Sequence, residues 1–187
     1  MRFLILVLLF SVFFISCEDN TVIKPSAMLR LEYPSAKYHQ IKSDCPYTFN
    51  INKNALLQVK DNCGININYP FMKATVFLTY QKVQNHNMDS LLYDAQKLTY
   101  EHNIKAQGIP EQPFVNKDEN AYGMFYMING NAATQAQFYI TDSINHFVTA
   151  SLYFDAKPNF DSIYPAVMYL RNDMRTMMET MKWKNNF

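Results

Sequence analysis

Four glycines in 187 residues leave little room for a phosphate-cradling loop, and the chain holds neither a Gly-x-Ser-x-Gly elbow nor a His-Glu-x-x-His pair. Its four histidines, His39, His86, His102 and His146, include no two at zinc-ligand spacing. An excess of one charge is missing as well. Against 17 Lys and Arg stand 16 Asp and Glu, which excludes an electrostatic footprint for nucleic acid and a polybasic patch for acidic lipid. Cysteine is scarce: three occur, an odd number for an exported chain. Aromatic residues, by contrast, make up 15% of the sequence, which argues for an ordered, well-filled globule.

Long hydrophobic runs are scarce too, and the clearest one sits at the start. Phe3 to Ile15 is apolar apart from Ser11, follows Arg2, and ends at Ser16-Cys17 before the acidic pair Glu18-Asp19. A positive start, an apolar stretch of about 7–15 residues and a small residue before the cut describe a secretory signal peptide. A spanning helix needs about 17–25 apolar residues. Phe14-Ile15-Ser16-Cys17 looks like a lipobox, whose cysteine thiol takes a diacylglycerol and becomes the first residue of the mature chain; Phe14 stands where that box usually has Leu. The expected organisation is a lipoprotein signal peptide at 1–16, a lipidated tether at 17–26 beginning with Cys17, and one globular domain at 27–187. An ordinary secreted protein cut nearby and a retained membrane anchor are the alternatives. With Cys17 lipidated, Cys45 and Cys63 remain as a pair in an oxidising compartment. A bridge between them closes a loop of about 19 residues and stabilises by ~3 kcal/mol on the chain-entropy model. Two buried free thiols are the alternative.

Met28 to Tyr33 alternates apolar and polar residues and reads as a strand ended by Pro34, with 35–44 a loop. Tyr47 to Ile51 alternates again, and 55–59 is ambiguous. Ile65 to Tyr69 and Lys73 to Tyr80, rich in β-branched and aromatic residues, are strands on either side of Pro70-Phe71-Met72. The period then becomes helical. Met88, Leu91, Leu92, Ala95, Leu98, His102 and Ala106 form one stripe, with Asn87 as N-cap and Gly108 with Pro110 as stop. Residues 109–121 read as a long loop. Tyr122 to Ile128, Thr134 to Thr141 and Phe147 to Phe154 form a meander; Asn129-Gly130 signals a type I′ turn and Asp142 to Asn145 a second turn. Ile163, Val167, Leu170, Met174, Met177 or Met178, and Met181 mark a C-terminal helix. Asp161 and Lys182 suit the two ends of its dipole, and Pro165 is tolerable only in its first turn. Strands joined by hairpins predict an α+β fold, an antiparallel β-sheet flanked by two amphipathic helices.

Chemistry-bearing constellations are thin. His102 follows Glu101 on the apolar stripe and reads as a core or boundary histidine. Asp94 and Glu101 lie about two helical turns apart, roughly 10 Å; hydrolytic carboxylates use such a separation, and solvated surface charge is the plainer reading. The methionines of the last helix suit either core packing or an adaptable binding face. Asp89-Ser90-Leu91, Asp142-Ser143-Ile144 and Asp161-Ser162-Ile163 each look like the acceptor of a periplasmic O-glycosylation system. Two of them sit where helices begin, where Asp and Ser belong as caps, which leaves Ser143 as the candidate. No catalytic set and no cofactor site emerges.

Several long strings resemble the gliding-motility lipoprotein family GldD: Lys73 to Tyr80, Asp94 to His102, Glu111-Gln112-Pro113-Phe114, Gly123 to Tyr126, Gly130 to Ala133, Phe138 to Asp142, Ser151 to Phe154 and Met178 to Lys184. Cys45-Pro46 and Cys63 match the family's cysteine positions. The resemblance implies an envelope lipoprotein required for gliding and for type IX secretion, without a known catalytic activity or cofactor. The implied partners are the membrane, through the lipid, and other gliding and secretion proteins of the envelope. The implied location is a periplasm-facing membrane, the outer one. The element order also looks like the Mog1/PsbP type of α+β fold. Glu111, Gln112, Pro113 and Phe114, with the turn at Asn129, Gly130 and Asn131, are the candidate contact surface, because these polar, Pro- and Gly-punctuated segments lie in the matching strings. A binding module for an envelope peptide or glycan is the second reading and a hydrolase the third. A thiol titration of the denatured, unreduced mature protein is expected to find no free thiol from Cys45 or Cys63; two reactive thiols rule the bridge out.

Overall fold

The computed structural model describes residues 32–184, so Cys17, the signal peptide, the tether and most of the expected Met28–Tyr33 strand lie outside the described residues. Seven strands form one antiparallel sheet in the order β4 (Leu56–Val59), β5 (Ile65–Tyr69), β6 (Ala74–Lys82), β12 (His146–Phe154), β11 (Thr134–Thr141), β9 (Ala121–Met127) and β8 (Glu111–Asn116). Alternation gives this sheet two chemically distinct faces. Phe138 stands opposite Ala150 and Phe125, and Ala150 opposite Leu78, so Phe125, Phe138, Ala150 and Leu78 share one face. Helix α2 (Phe160–Glu179) covers that face with Leu170, Met174, Met177 and Met178, all buried. Each such side chain contributes about 1.5–3 kcal/mol relative to exposure. The methionines are therefore core. On the opposite face, Gln137, Tyr139 and Thr149 meet helix α1 (Met88–Tyr100), whose buried Thr99 Oγ1 donates to Gln137 Oε1 at 2.7 Å. The α+β expectation of an antiparallel sheet flanked by two helices holds.

Several local expectations need correction. Helix α1 stops at Tyr100 and a 3-10 turn, Glu101–Ile104, follows, so His102 and Ala106 are not on the helix. Met88, Leu91, Leu92 and Ala95 keep the expected stripe, but its last position is Thr99, which is buried, while Leu98 is 43% exposed. The chain leaves the helix to form β7 (Ala106–Gly108), which pairs with β10 (Asn129–Gly130). Residues 109–121 are not one long loop: 111–116 form β8, where an edge position tolerates Pro113, and a four-residue turn at 117–120 leads into β9. Asn129-Gly130 does not make a two-residue I′ turn, since only Gly130 has positive φ, at 99°, and both residues belong to the β10 ladder.

At the N-terminal side, the supposed loop 35–44 contains β1 (Tyr38–Gln40), paired with β3 (Asn50–Asn52). The single strand expected at Tyr47–Ile51 is divided at buried Phe49 between β3 and β2 (Tyr47–Thr48), which pairs with β13 (Lys182–Trp183). The ambiguous 55–59 stretch is the other sheet edge. Pro165 lies beyond the first turn of α2, counting from the cap Asn159, whose side chain accepts from Ser162 N; the helix continues through it at the cost of one backbone bond.

Gly123 is required by close approach. A Cβ there would lie 2.1 Å from the Tyr139 carbonyl oxygen and 2.9 Å from Met178 Cε, between the sheet and α2. Gly123→Ala is expected to destabilise by about 3 kcal/mol and to lower the thermal midpoint by about 10 °C, measurable by circular dichroism.

Candidate functional site

The two segments singled out as contact surface converge in space. Glu111 pairs with Tyr126 and Gln112 with Phe125 along β8–β9, and Met127 N donates to the Pro110 carbonyl at 2.9 Å. Just beyond, Asn129 of β10 stands opposite Gly108. Edge strand β8 and the β7–β10 ribbon therefore form one continuous margin of the molecule. Glu111, Gln112 and Pro113 are exposed on it, while Phe114 is half-buried against the core. Glu111 Oε1 accepts from the Tyr100 hydroxyl, which ties the strand to the end of α1.

Two arginines of α2 hold this margin from beneath. Arg175 donates to Gln112 Oε1 at 3.1 Å and lies 5.3 Å from the centre of the Phe125 ring. Arg171, 4% exposed, donates to the Gln135 carbonyl at 3.0 and 3.2 Å, to the Ile128 carbonyl at 3.0 Å and to Asn129 Oδ1 at 2.9 Å. Burial lowers its pKa to about 10, with Arg175 adding repulsion, and it stays charged at neutral pH. Asn131 is exposed, and its Oδ1 accepts from Phe160 N at 2.8 Å at the start of α2. Neither arginine was singled out from sequence; the sign was a cation four residues after Val167 on an apolar stripe.

A second feature is a polar cleft of about 780 Å³ where the Asp118–Asn120 turn, the Asp142–His146 turn and the C-terminal strand meet. The His146 ring stacks on Trp183 with centroids 5.1 Å apart, and its Nδ1 lies 2.9 Å from the Tyr80 hydroxyl. Trp183 Nε1 donates to the Asn120 carbonyl at 3.2 Å, and Lys182 pairs with Glu119. The Asp142 carboxylate accepts from the backbone of Ile144, Asn145 and His146 at 3.0, 2.8 and 2.8 Å, so it caps the turn. Ser143 stands exposed on that turn with φ 66°. A further cross-tie joins Cys45 and Cys63, whose Cα atoms are 5.4 Å apart; the Tyr47 hydroxyl donates to the Cys63 carbonyl. Asp94 sits on α1 and Glu101 at its C-terminal cap, where the 3-10 turn begins, and both are exposed to solvent. Among the described residues no group of three or more His, Cys, Asp or Glu could hold a metal ion.

A family model described as gliding motility lipoprotein GldD matches residues 18–183, which includes the sheet, both helices and both features above. The chain belongs to the GldD family. No individually curated protein matches it. The GldD match begins one residue after Cys17 and ends at Trp183, the residue on which His146 stacks. No helix among the described residues is long and apolar enough to cross a membrane.

Burial holds the His146 imidazole below its ordinary pKa; Asp142 opposes the shift and Lys82 adds to it. The native state therefore resists protonation more than the unfolded chain. Stability is complete above about pH 6.5 and declines as the unfolded chain takes up the proton below it. Denaturant titration of wild type is expected to show a lower midpoint at pH 5.5 than at 7.5. The difference shrinks in His146→Asn, while His102, also held low by burial, retains its share.

Proposed function

We propose that this protein is a non-catalytic accessory of the gliding apparatus and of type IX secretion, held by lipid on Cys17 at a periplasm-facing membrane and acting by protein–protein contact. The observation that carries the contact reading is the margin built by Glu111 to Pro113 and Asn129 to Asn131. These segments are brought onto one margin, where Glu111, Gln112, Pro113 and Asn131 are exposed, Asn129 is half-buried and Gly130 is buried, and Arg171 and Arg175 fix it from below. Rigid positioning of exposed polar groups suits recognition of a folded partner, because little order is lost on binding. Pro113 withholds a donor from the outer edge, which disfavours indiscriminate strand addition. Support for the anchor is the Phe14-to-Cys17 lipobox together with the family's description as lipoproteins. The exposed Ser143 is the proposed glycan acceptor.

Replacing Glu111, Gln112 and Pro113 together by Ala tests the contact surface. The expected result is a lipidated, folded protein whose cells neither glide nor export adhesins. Intact motility and secretion with normal protein levels would overturn it. Cys17→Ala is the companion variant, expected to leave the membrane fraction.

A further inference from the structure

Across the sheet from β8, the β5–β6 connection carries an exposed aromatic. Phe71 is 97% exposed at the tip of the Pro70–Met72 3-10 turn, which closes with Lys73 at φ 47° and its N–H on the Pro70 carbonyl at 3.2 Å. Beside it opens a largely apolar pocket of about 400 Å³, lined by Tyr33, Pro34, Tyr69, Phe71, Met72 and Tyr169. Its walls are fixed. Tyr33 and Tyr169 rings lie 5.2 Å apart, and the Tyr169 hydroxyl donates to the Pro34 carbonyl at 3.0 Å while accepting from Asn52 Nδ2 at 2.8 Å.

One group in this pocket is left over. Tyr69 is 3% exposed, and its hydroxyl has no hydrogen-bond partner among the described residues. Asp173, behind it and 1% exposed, already accepts from the Tyr38 hydroxyl at 2.7 Å and Asn52 Nδ2 at 2.9 Å. Burial first, and then the Asp173 charge, keep the Tyr69 phenol protonated at every working pH. The Tyr69 hydroxyl lies beside the Asp173 carboxylate without closing a hydrogen bond to it, so it is a donor at the back of a largely apolar cavity that can still take an acceptor. A ligand with an apolar stem and a carbonyl oxygen satisfies both requirements.

Location selects among such ligands. The chain arriving from Cys17 enters the domain at the pocket rim, where Glu32, Tyr33 and Pro34 lie. Fifteen residues reach at most about 50 Å, enough to let this end touch the surface that holds the lipid. Exposed aromatics concentrate at membrane–water interfaces. Charge is balanced nearby: Lys53 and Lys73 are exposed, and so are Glu32 and Asp155, whose N–H donates to the Lys73 carbonyl at 2.7 Å. Such an end favours a zwitterionic over an anionic lipid.

We propose that this end seats on the anchoring bilayer, with Phe71 inserted at headgroup depth and the pocket taking the ester-linked start of a phospholipid acyl chain, its carbonyl accepting from Tyr69. The proposal rests on the lipid anchor argued above. The test uses the full lipidated protein in phosphatidylcholine vesicles, with plain or brominated acyl chains. Trp183 is the one native tryptophan, so Phe71→Trp is made in a Trp183→Phe background, with Tyr93→Trp on exposed α1 as the reference. Brominated lipid is expected to quench position 71 at least threefold more than position 93, and Tyr69→Phe to halve that difference. Equal quenching at the two positions overturns the seat, as it would if an apolar segment of a partner protein were the true occupant. Unchanged quenching in Tyr69→Phe overturns the pocket's role. Should Phe71→Trp misfold, a spin label on Phe71→Cys reads the same depth. Failure of the anchor itself appears separately, as protein without acyl mass that does not float with vesicles.

Discussion

A buried cation without a counter-ion among the described residues organises one side of this molecule. Stripping Arg171 of water costs several kcal/mol, and it is offset by neutral oxygens of Ile128, Asn129 and Gln135. That requirement dictates the path of the β9–β11 connection. The carbonyls must turn toward α2, so the chain cannot close in a tight two-residue turn at Asn129-Gly130. Displaced outward, those residues pair with β7, and β7 is available only because α1 ends at Tyr100. The β7–β10 ribbon beside the β8 edge is thus tied to where one guanidinium sits.

A second buried charge two residues further along α2 performs the same service on the other side. Asp173 gathers Tyr38 from β1 and Asn52 from β3, binding the N-terminal strands to the helix. Burial raises its pKa while the Tyr38, Asn52 and Tyr69 groups hold it down. The helix therefore joins two regions through polar contacts of opposite sign, with methionines filling the space between. The exposed β8 margin lies on the Arg171 side of this arrangement and the aromatic pocket on the Asp173 side.

Much of the sheet was legible because its strands alternate apolar and polar residues, as in Ile65 to Tyr69 and Phe147 to Phe154. Legibility failed where one residue type had two uses. Thr99 looked like surface and is buried because Gln137 waits for its hydroxyl. Leu98 looked like core and faces solvent. Pro113 suggested a loop, but an edge strand accepts proline equally well. Asn129-Gly130 carried a strong local turn preference that a distant arginine overrode. The candidate contact residues were chosen as neighbours of punctuation, and their convergence depends on pairings with Tyr126 and Gly108 that no local pattern encodes. The aromatic pocket was invisible for the same reason: Tyr33, Tyr69 and Tyr169 meet only after the whole chain has folded.

The Cys45–Cys63 bridge also introduces a timing. Thiols stay reduced before export and oxidise after it, so on the export route proposed above the precursor lacks about 3 kcal/mol of stabilisation that the delivered domain has. Tyr47, whose hydroxyl reaches the Cys63 carbonyl, belongs to the strand that pairs with the C-terminal Trp183. The last segment of the chain is thus secured beside the bridge, so a precursor remains easier to unfold for passage and becomes locked once it has arrived.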